Sequence, residues 1–144
     1  TVAGVAYCWG ANSAGQLGTG SAGAPSPVPV AVGGGLTFTS LAAGAFHACA
    51  LTAAGAAYCW GSGTSGQLGA GTATSAYTPV AVSGGLTFTR LAAGAIHTCG
   101  AATSGGVYCW GSRGGGRLGD GYADYAPVPQ PVVGGLLFAP PPAR

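Results

Sequence analysis

The sequence feature that most constrains the fold is a cysteine-bounded segment that occurs twice, at 49–61 and 99–111. In the first copy, Thr-Ala-Ala-Gly at 52–55 predicts the turn of a β-hairpin whose final glycine takes a positive φ. Counting outward from this turn places Cys49 directly opposite Cys59. Cysteines in a non-hydrogen-bonded pair of antiparallel strands lie close enough to form a disulfide. The repeating unit is therefore predicted to be a hairpin closed by a disulfide.

Three tryptophans mark a longer period. Trp9, Trp60 and Trp110 lie 51 and 50 residues apart, and each is followed by a glycine-rich phrase that ends in Leu-Gly-x-Gly. A fixed period of this length is typical of stacked or radial repeat architectures. The period divides the chain into the tail of an incomplete unit at 1–10, a first repeat at 11–61, a second at 62–111 and an incomplete third at 112–144.

Each period contains about four short predicted strands and no helical periodicity. Prolines in the valine-rich segments at 28–32 and 128–133 favour edge strands. Within the hairpin, Trp60 lies across from Ala48, and this pairing of large with small lets adjacent sheets interdigitate. A linear solenoid also satisfies the period, but the twist of four-stranded blades favours a radial arrangement. We predict an all-β fold of about three four-stranded antiparallel propeller blades, as a partial propeller or an arc of a ring or filament.

Three phrases resemble the repeat of the regulator of chromosome condensation family. They are Trp-Gly-x-Asn-x-x-Gly-Gln-Leu-Gly-x-Gly at 9–20, Leu-Ala-Ala-Gly-x-x-His-x-Cys-Ala-Leu at 41–51 and Gly-x-x-Tyr-Cys-Trp-Gly at 55–61. Kelch repeats share the length and the double glycine but lack the Gly-Gln-Leu-Gly phrase. The resemblance covers nearly the whole chain and implies a β-propeller, usually with seven blades.

The repeat pattern is incomplete at both ends, because the segments expected before Cys8 and after Phe138 are missing. We therefore expect a processed or excised piece of a longer protein. An arc of three blades leaves two apolar sheet faces bare, and such faces are interfaces or aggregation sites. We expect other chains, among them copies of this one, to cover those faces.

The four cysteines that end the two hairpins are predicted to form the disulfides Cys49–Cys59 and Cys99–Cys109. Free thiols and a metal site are the alternatives, since His47 and Cys49 share a strand face and Cys59 lies opposite. The position across from His47 is Gly61, which supplies no ligand, so a tetrahedral metal set is incomplete. Cys8 has no partner in the repeat pattern and is predicted to be unpaired or to form an intermolecular bond.

Charge is scarce. The charged residues are four arginines and two aspartates, 4% of 144 residues, against roughly 25% in typical soluble domains. Because each phosphate contact needs a cation, four arginines and a net charge of +2 argue against nucleic acid as a partner. Five cysteines favour an oxidising compartment, so we predict a secreted or cell-surface protein. No apolar run reaches the roughly 18 to 20 residues of a membrane span.

No catalytic constellation stands out. His47 and His97 each follow Ala-Gly-x-x and lack a neighbouring carboxylate or serine nucleophile in sequence, so both are predicted to be structural, hydrogen-bonded residues. The three tryptophans are predicted to be structural as well. No Gly-Lys-Ser/Thr follows the glycine phrases, which excludes a phosphate-binding loop. We therefore predict no catalytic residues, no cofactor, no bound metal and no enzymatic activity.

One loop differs most from the other copies, and it holds most of the charge. It carries Arg113, Arg117, Asp120, Tyr122, Asp124 and Tyr125. Arginine and tyrosine are the residues that binding patches use most, so this loop is the candidate binding site. A solvated loop that happens to hold the charges is the alternative. Both aspartates are expected to be exposed, and without a second acidic cluster they do not form a glycosidase pair.

The sequence predicts function through surfaces. The first interpretation is an extracellular module that binds a protein or a glycan, and the alternative is a structural subunit that self-assembles through open blade faces. The family resemblance includes members that act on guanine-nucleotide-binding proteins or chromatin, and a secreted bacterial member that inhibits an enzyme through rim loops. Nothing in this sequence matches a nucleotide-exchange wedge, so exchange activity is only a remote alternative. We expect a homo-oligomer or a part of a longer chain, without a membrane span.

Overall fold

The computed structural model of the chain describes residues 1–137. Those residues form ten β-strands and one short 3-10 turn at Gly114–Gly116, with no α-helix among them, which confirms the all-β class. The strands are β1 Tyr7–Asn12, β2 Gly23–Ala31, β3 Ser40–Ala43, β4 His47–Leu51, β5 Ala57–Gly61, β6 Ala76–Ala81, β7 Phe88–Ala93, β8 His97–Ala102, β9 Val107–Ser112 and β10 Tyr125–Pro131. The end of the predicted third repeat, 138–144, lies outside the described residues. In the described part, no helix has the length and apolar character needed to cross a bilayer.

The strands form three antiparallel sheets in chain order. The first sheet contains β1 and β2, the second is β3-β4-β5-β6, and the third is β7-β8-β9-β10. Two sheets therefore have the predicted four-stranded form, and the three sheets do not close into a ring. The second sheet runs over 40–81, so the repeat boundary at 61/62 falls between β5 and β6. The sequence repeats and the sheets thus recur at the same interval, but each sheet begins and ends at a different point of the chain from the repeat.

The hairpin register agrees with the prediction residue by residue. Cys49 pairs with Cys59 and Ala48 with Trp60, and the Cα atoms of the two cysteines are 4.0 Å apart. At the turn, Gly55 has a φ of 79°. The second hairpin has the same register, and the structure contains both disulfides, Cys49–Cys59 and Cys99–Cys109. Turn length fixes strand register in a hairpin, so local sequence is sufficient to predict it.

The proline-containing strands β2 and β10 lie at sheet edges, as predicted, and so does β6, which contains Pro79. They begin earlier than their valine-rich cores suggest, because a register shift lets the pairing continue past a bulge. In the second sheet this shift falls between Cys59 and Gly61. Gly61 has a φ of 102°, which only glycine adopts readily, so the bulge is encoded by the glycine after the tryptophan.

The core consists of two layers of side chains between successive sheets. Between the first and second sheets, the ring of Trp60 lies 5.9 Å from that of Phe38 and packs against Val32 and Ala48. Between the second and third sheets, Trp110 lies 5.7 Å from Phe88. Leu68, Leu118 and the Cys49–Cys59 disulfide complete that second layer. Both tryptophans are fully buried, so each joins two sheets into one packed body.

Glycines in the loop after β1 and in the loop after β5 hold these tryptophans. Gly18 and Gly69 both have φ near +70°, at 69° and 68°. A Cβ atom on Gly18 would lie 2.8 Å from Nε1 of Trp60, and one on Gly69 would lie 2.7 Å from Nε1 of Trp110. The indole of Trp60 also donates a hydrogen bond to the carbonyl of Gln16 at 3.0 Å. The loop that contains the recurring Gly-x-Leu-Gly phrase therefore packs closely against the tryptophan of the following sheet.

Candidate functional site

Arg113 is the centre of the candidate binding loop. Its Nε donates to Oδ2 of Asp120 at 2.7 Å, and its Nη1 donates to the carbonyl of Tyr125 at 2.9 Å. Its guanidinium carbon also lies 5.3 Å from the centroid of the Tyr122 ring. One side chain thus joins both ends of the loop and stacks on its tip. Charge-assisted hydrogen bonds and cation–π contacts of this kind hold a loop in one conformation.

The expectation that both aspartates are exposed is wrong for Asp120. Its side chain is only 4% exposed, because Arg113 folds over it and forms the ion pair. The structure brings Arg113, Asp120, Tyr122 and Tyr125 together. It leaves Arg117 and Asp124 at the surface, where Nε of Arg117 donates to the carbonyl of Gly114. The exposed part of the loop therefore contains two tyrosines, Tyr122 and Tyr125, together with both of these charged side chains.

His47 lies in a buried hydrogen-bonded chain between the second and third sheets. Its Nε2 lies 2.8 Å from Oγ1 of Thr98, and that hydroxyl donates to the carbonyl of Gln67 at 2.9 Å. Since Thr98 gives its only proton to Gln67, Nε2 of His47 is the donor to Thr98. Burial, with a smaller contribution from the charge of His97, lowers the pKa of His47 to about 4. His47 is therefore neutral at pH 7, and its hydrogen bond to Thr98 links the second sheet to the third.

Thr98 was not among the predicted site residues. It is fully buried, yet the first hairpin has Ala48 at the same position, so the repeat itself gave no signal for it. His97 lies on the outer side of the third sheet, where burial first and Arg117 second lower its pKa. The buried Nδ1 of His97 has no hydrogen-bond partner in the described part of the chain.

Trp9 does not have the packed, structural position that we predicted for it. Its side chain is 64% exposed, whereas Trp60 and Trp110 are fully buried. Each buried tryptophan packs against the sheet that precedes it, and no sheet precedes the first one within residues 1–137. Cys8, next to Trp9, is a half-buried free thiol whose pKa is raised by burial. The face of the first sheet is therefore open.

The metal alternative for the first hairpin fails on its chemistry. Cys49 and Cys59 are bonded to each other, so neither offers a thiolate ligand. Across residues 1–137, no three His, Cys, Asp or Glu side chains form a group that could hold a metal ion. What the described residues offer a partner is therefore a surface made of loops, edges and aromatic rings.

Four-stranded antiparallel sheets that pack face to face through central tryptophans are the blades of a β-propeller. The profile of the regulator of chromosome condensation (RCC1) repeat matches residues 3–51 and 54–101, and a second RCC1 repeat profile matches 38–67. These matches cover more than half of the chain. The chain belongs to the RCC1 repeat family.

Solved structures agree with this fold. Prp20p from Saccharomyces cerevisiae superimposes with a TM-score of 0.82 at 24% identity, over 91% of this chain and 34% of that one. Human WBSCR16 gives a TM-score of 0.74 at 23% identity, over 87% of this chain and 34% of that one. Identities this low carry information on the fold alone.

A relative by sequence is the mitochondrial RCC1 domain-containing protein RUG3 of Arabidopsis thaliana. It is 43% identical over 70 residues, which are 48% of this chain and 16% of RUG3. The chain therefore spans about a third of the length of the solved structures and a sixth of the length of RUG3.

Proposed function

We propose that the chain is a non-catalytic binding module of the RCC1 repeat type that contacts an extracellular protein or glycan through the 113–125 loop. The observation that carries this proposal is the way Arg113 organises the loop. Tyr122 and Tyr125 are 70% and 50% exposed, while Arg113 stacks on the ring of Tyr122 and donates a hydrogen bond to the carbonyl of Tyr125. Tyrosines presented in this way give contact area at a low cost in conformational entropy.

Binding to other proteins is described for solved structures that share this fold. The structure of Prp20p was described together with its binding to Gsp1p and histones, and yeast RCC1 (Prp20) was solved bound to Kap60. In this chain, the buried Asp120 takes part in an ion pair inside the loop, where it holds Arg113 in place. Both features favour a role without catalysis.

The extracellular part of the proposal rests on the disulfides. Both are in the central hairpins of their sheets, and Cys49 and Cys59 are fully buried. Structural disulfides persist in oxidising compartments and are rare where glutathione keeps thiols reduced. Expression with and without export to an oxidising compartment tests this part. Equal yields of folded protein with reduced cysteines would contradict it.

Arrays of extracellular proteins and glycans test the loop directly. We expect a ligand that binds the wild-type chain and is bound at least about tenfold more weakly by a Tyr122→Ser/Tyr125→Ser double variant. Tyr77→Ser is the matched control, since Tyr77 is 44% exposed and lies outside this loop. The absence of any ligand, or ligands that bind the double variant and the wild type equally, would contradict the proposal.

Self-assembly through the open sheet faces is the second candidate, and the exposure of Trp9 favours it. A tryptophan that is 64% exposed, at a position where two copies are fully buried, is available to a second chain. Light scattering over a range of concentrations should then show association that weakens in a Trp9→Ser variant. A monomer at every concentration would contradict this candidate.

A further inference from the structure

We propose that Thr72 and Thr74, in the loop at 62–75 between β5 and β6, are acceptors for O-linked glycosylation by a transferase that uses a nucleotide-activated N-acetylhexosamine. The site lies in the middle of the chain. It shares with the proposed function only the oxidising, secretory location, and it does not depend on what the 113–125 loop binds.

The surface around this loop carries no charge. Residues 1–89 contain no Asp, Glu, Lys or Arg, so no side chain of the first two sheets has a formal charge at pH 7. Exposed charges normally keep copies of a soluble protein apart. Without them, this surface depends on neutral polar groups for its hydration. Attached sugars are bulky neutral groups that increase solubility.

The 62–75 loop has a buried base and an exposed tip. At the base, Gln67 is buried, and the amide of Gly71 donates to the carbonyl of Pro127 in the third sheet at 2.9 Å. At the tip, Thr72 and Thr74 are exposed. The second sheet has a packed neighbour on each side, so this exposure belongs to the loop itself and is found in the packed arrangement.

The two acceptor hydroxyls bond to each other at the surface. Oγ1 of Thr72 lies 2.8 Å from Oγ1 of Thr74. By contrast, Oγ of Ser75 accepts a hydrogen bond from the amide of Gly63 at 3.2 Å, and this contact closes the loop. Glycosylation of the two threonines therefore replaces one exposed hydrogen bond, which contributes little to stability, and leaves the contact that closes the loop unchanged.

Small, uncharged residues flank both acceptors. The segment at 70–76 reads Ala-Gly-Thr-Ala-Thr-Ser-Ala, and a proline follows at 79. Segments rich in serine and threonine together with proline are typical of O-glycosylated, mucin-like chains. The corresponding positions hold Ser21 and Gly23 in the first repeat and Tyr122 and Asp124 in the third. Only the second repeat therefore has a pair of threonines at its exposed tip.

The reaction is a substitution at the anomeric carbon of the donor sugar. The threonine Oγ1 forms a bond to this carbon, while the bond between the carbon and the nucleoside diphosphate breaks and its electron pair leaves with the diphosphate. The hydroxyl proton passes to the departing diphosphate. The chain contributes an exposed hydroxyl in a segment of small residues, over which a transferase can close.

Glycosylation of the folded, disulfide-bonded chain in vitro tests the proposal. The chain is incubated with UDP-N-acetylgalactosamine and a polypeptide N-acetylgalactosaminyltransferase, and mass mapping of peptides locates the sugars. We expect sugar on Thr72, on Thr74 or on both, and a Thr72→Val/Thr74→Val variant should lose most of the total incorporation. No incorporation into the folded chain, or equal incorporation into this variant and the wild type, would overturn the proposal.

The matched control is a Thr87→Val/Thr103→Val variant. These two threonines are also exposed, and their Oγ1 atoms lie 2.7 Å apart. Unlike the loop pair, they are joined through the backbone as well, because the amide of Thr103 donates to the carbonyl of Thr87 at 2.9 Å. We expect this variant to incorporate as much sugar as the wild type, with circular dichroism confirming that both variants fold.

A loss of incorporation in the control variant as large as in the Thr72→Val/Thr74→Val variant would overturn the assignment to the 62–75 loop. The glycosylation assay uses no ligand of the 113–125 loop, and the tyrosine variants of that loop are tested separately. Failure here is therefore distinguishable from failure of the proposed function.

Discussion

Replacing Gly69 with alanine tests whether the glycine-rich loops must pack closely against the tryptophan of the following sheet. Gly69 has a φ of 68°, and an added Cβ atom would lie 2.7 Å from Nε1 and 2.9 Å from Cδ1 of Trp110. Trp110 is fully buried between the second and third sheets, so its ring cannot move away into solvent. The substitution therefore combines a backbone cost with an overpacking cost.

Gly85 allows the two costs to be separated. Its φ is 67°, nearly that of Gly69, but an added Cβ atom would meet nothing within 4 Å. A non-glycine residue in the left-handed region costs about 1 to 2 kcal/mol, and a forced contact in a packed core costs about 1 to 3 kcal/mol more. We expect Gly85→Ala to lose about 1 to 2 kcal/mol of unfolding free energy, and Gly69→Ala to lose about 2 to 5 kcal/mol.

Urea unfolding followed by tryptophan fluorescence, with both disulfides intact, measures the two losses on one scale. The difference between the variants reports the contact with Trp110, since the backbone cost cancels. If Gly69→Ala and Gly85→Ala lose the same unfolding free energy, the loop does not pack against Trp110 closely enough to matter, and the packing argument is wrong. Gly18→Ala repeats the test at Trp60, because its Cβ atom would lie 2.8 Å from Nε1 of that ring.

Three further perturbations probe the same structure by urea unfolding. Lowering the pH from 7 to about 4.5 should reduce the unfolding free energy by about 2 to 3 kcal/mol. The reason is that the pKa of His47 is about 4 in the folded chain and 6.5 in the unfolded chain, so stability is lost as the pH falls below 6.5. A His47→Gln variant that keeps the full pH dependence would contradict this. The Cys49→Ser/Cys59→Ser double variant should lose about 2 to 3 kcal/mol through loop entropy, since ten positions separate the cysteines; an unchanged urea midpoint would refute it. Asp120→Ala should lower the unfolding free energy by about 3 kcal/mol because it leaves the Arg113 guanidinium, whose side chain is only 11% exposed, without its carboxylate partner, and a double variant that also carries Arg113→Met should lose less than the sum of the single changes.

Local features of the fold were predictable to the residue. The pairing of Cys49 with Cys59 follows from the length of the turn, and the edge positions of β2 and β10 follow from their prolines. Both arguments involve residues close in sequence, where backbone geometry leaves few choices. The membership of the chain in the RCC1 repeat family also follows from local phrases.

The side-chain contacts were less predictable than the strand pairing, because they depend on how a loop folds over itself and how the sheets pack together. Asp120 is buried only because Arg113 crosses the loop to reach it. Thr98 accepts a hydrogen bond from a histidine 51 positions away, and nothing in the repeat pattern predicts this contact. Trp9 has the same neighbours in sequence as Trp60 but not the same neighbours in space.

The repeated phrases were sufficient to predict the period, the hairpin register, the disulfides and the match of large with small side chains, since strand pairing depends on alternation and turn length over a few residues. The burial of Trp60 and Trp110 and the partners of the buried polar side chains followed only from the packing of the sheets. These properties depend on contacts within loops and between sheets, whose partners lie from 7 to 51 positions apart. Copies of a periodic sequence form the same local structure, whereas the contacts of each copy depend on the sheets that pack against it.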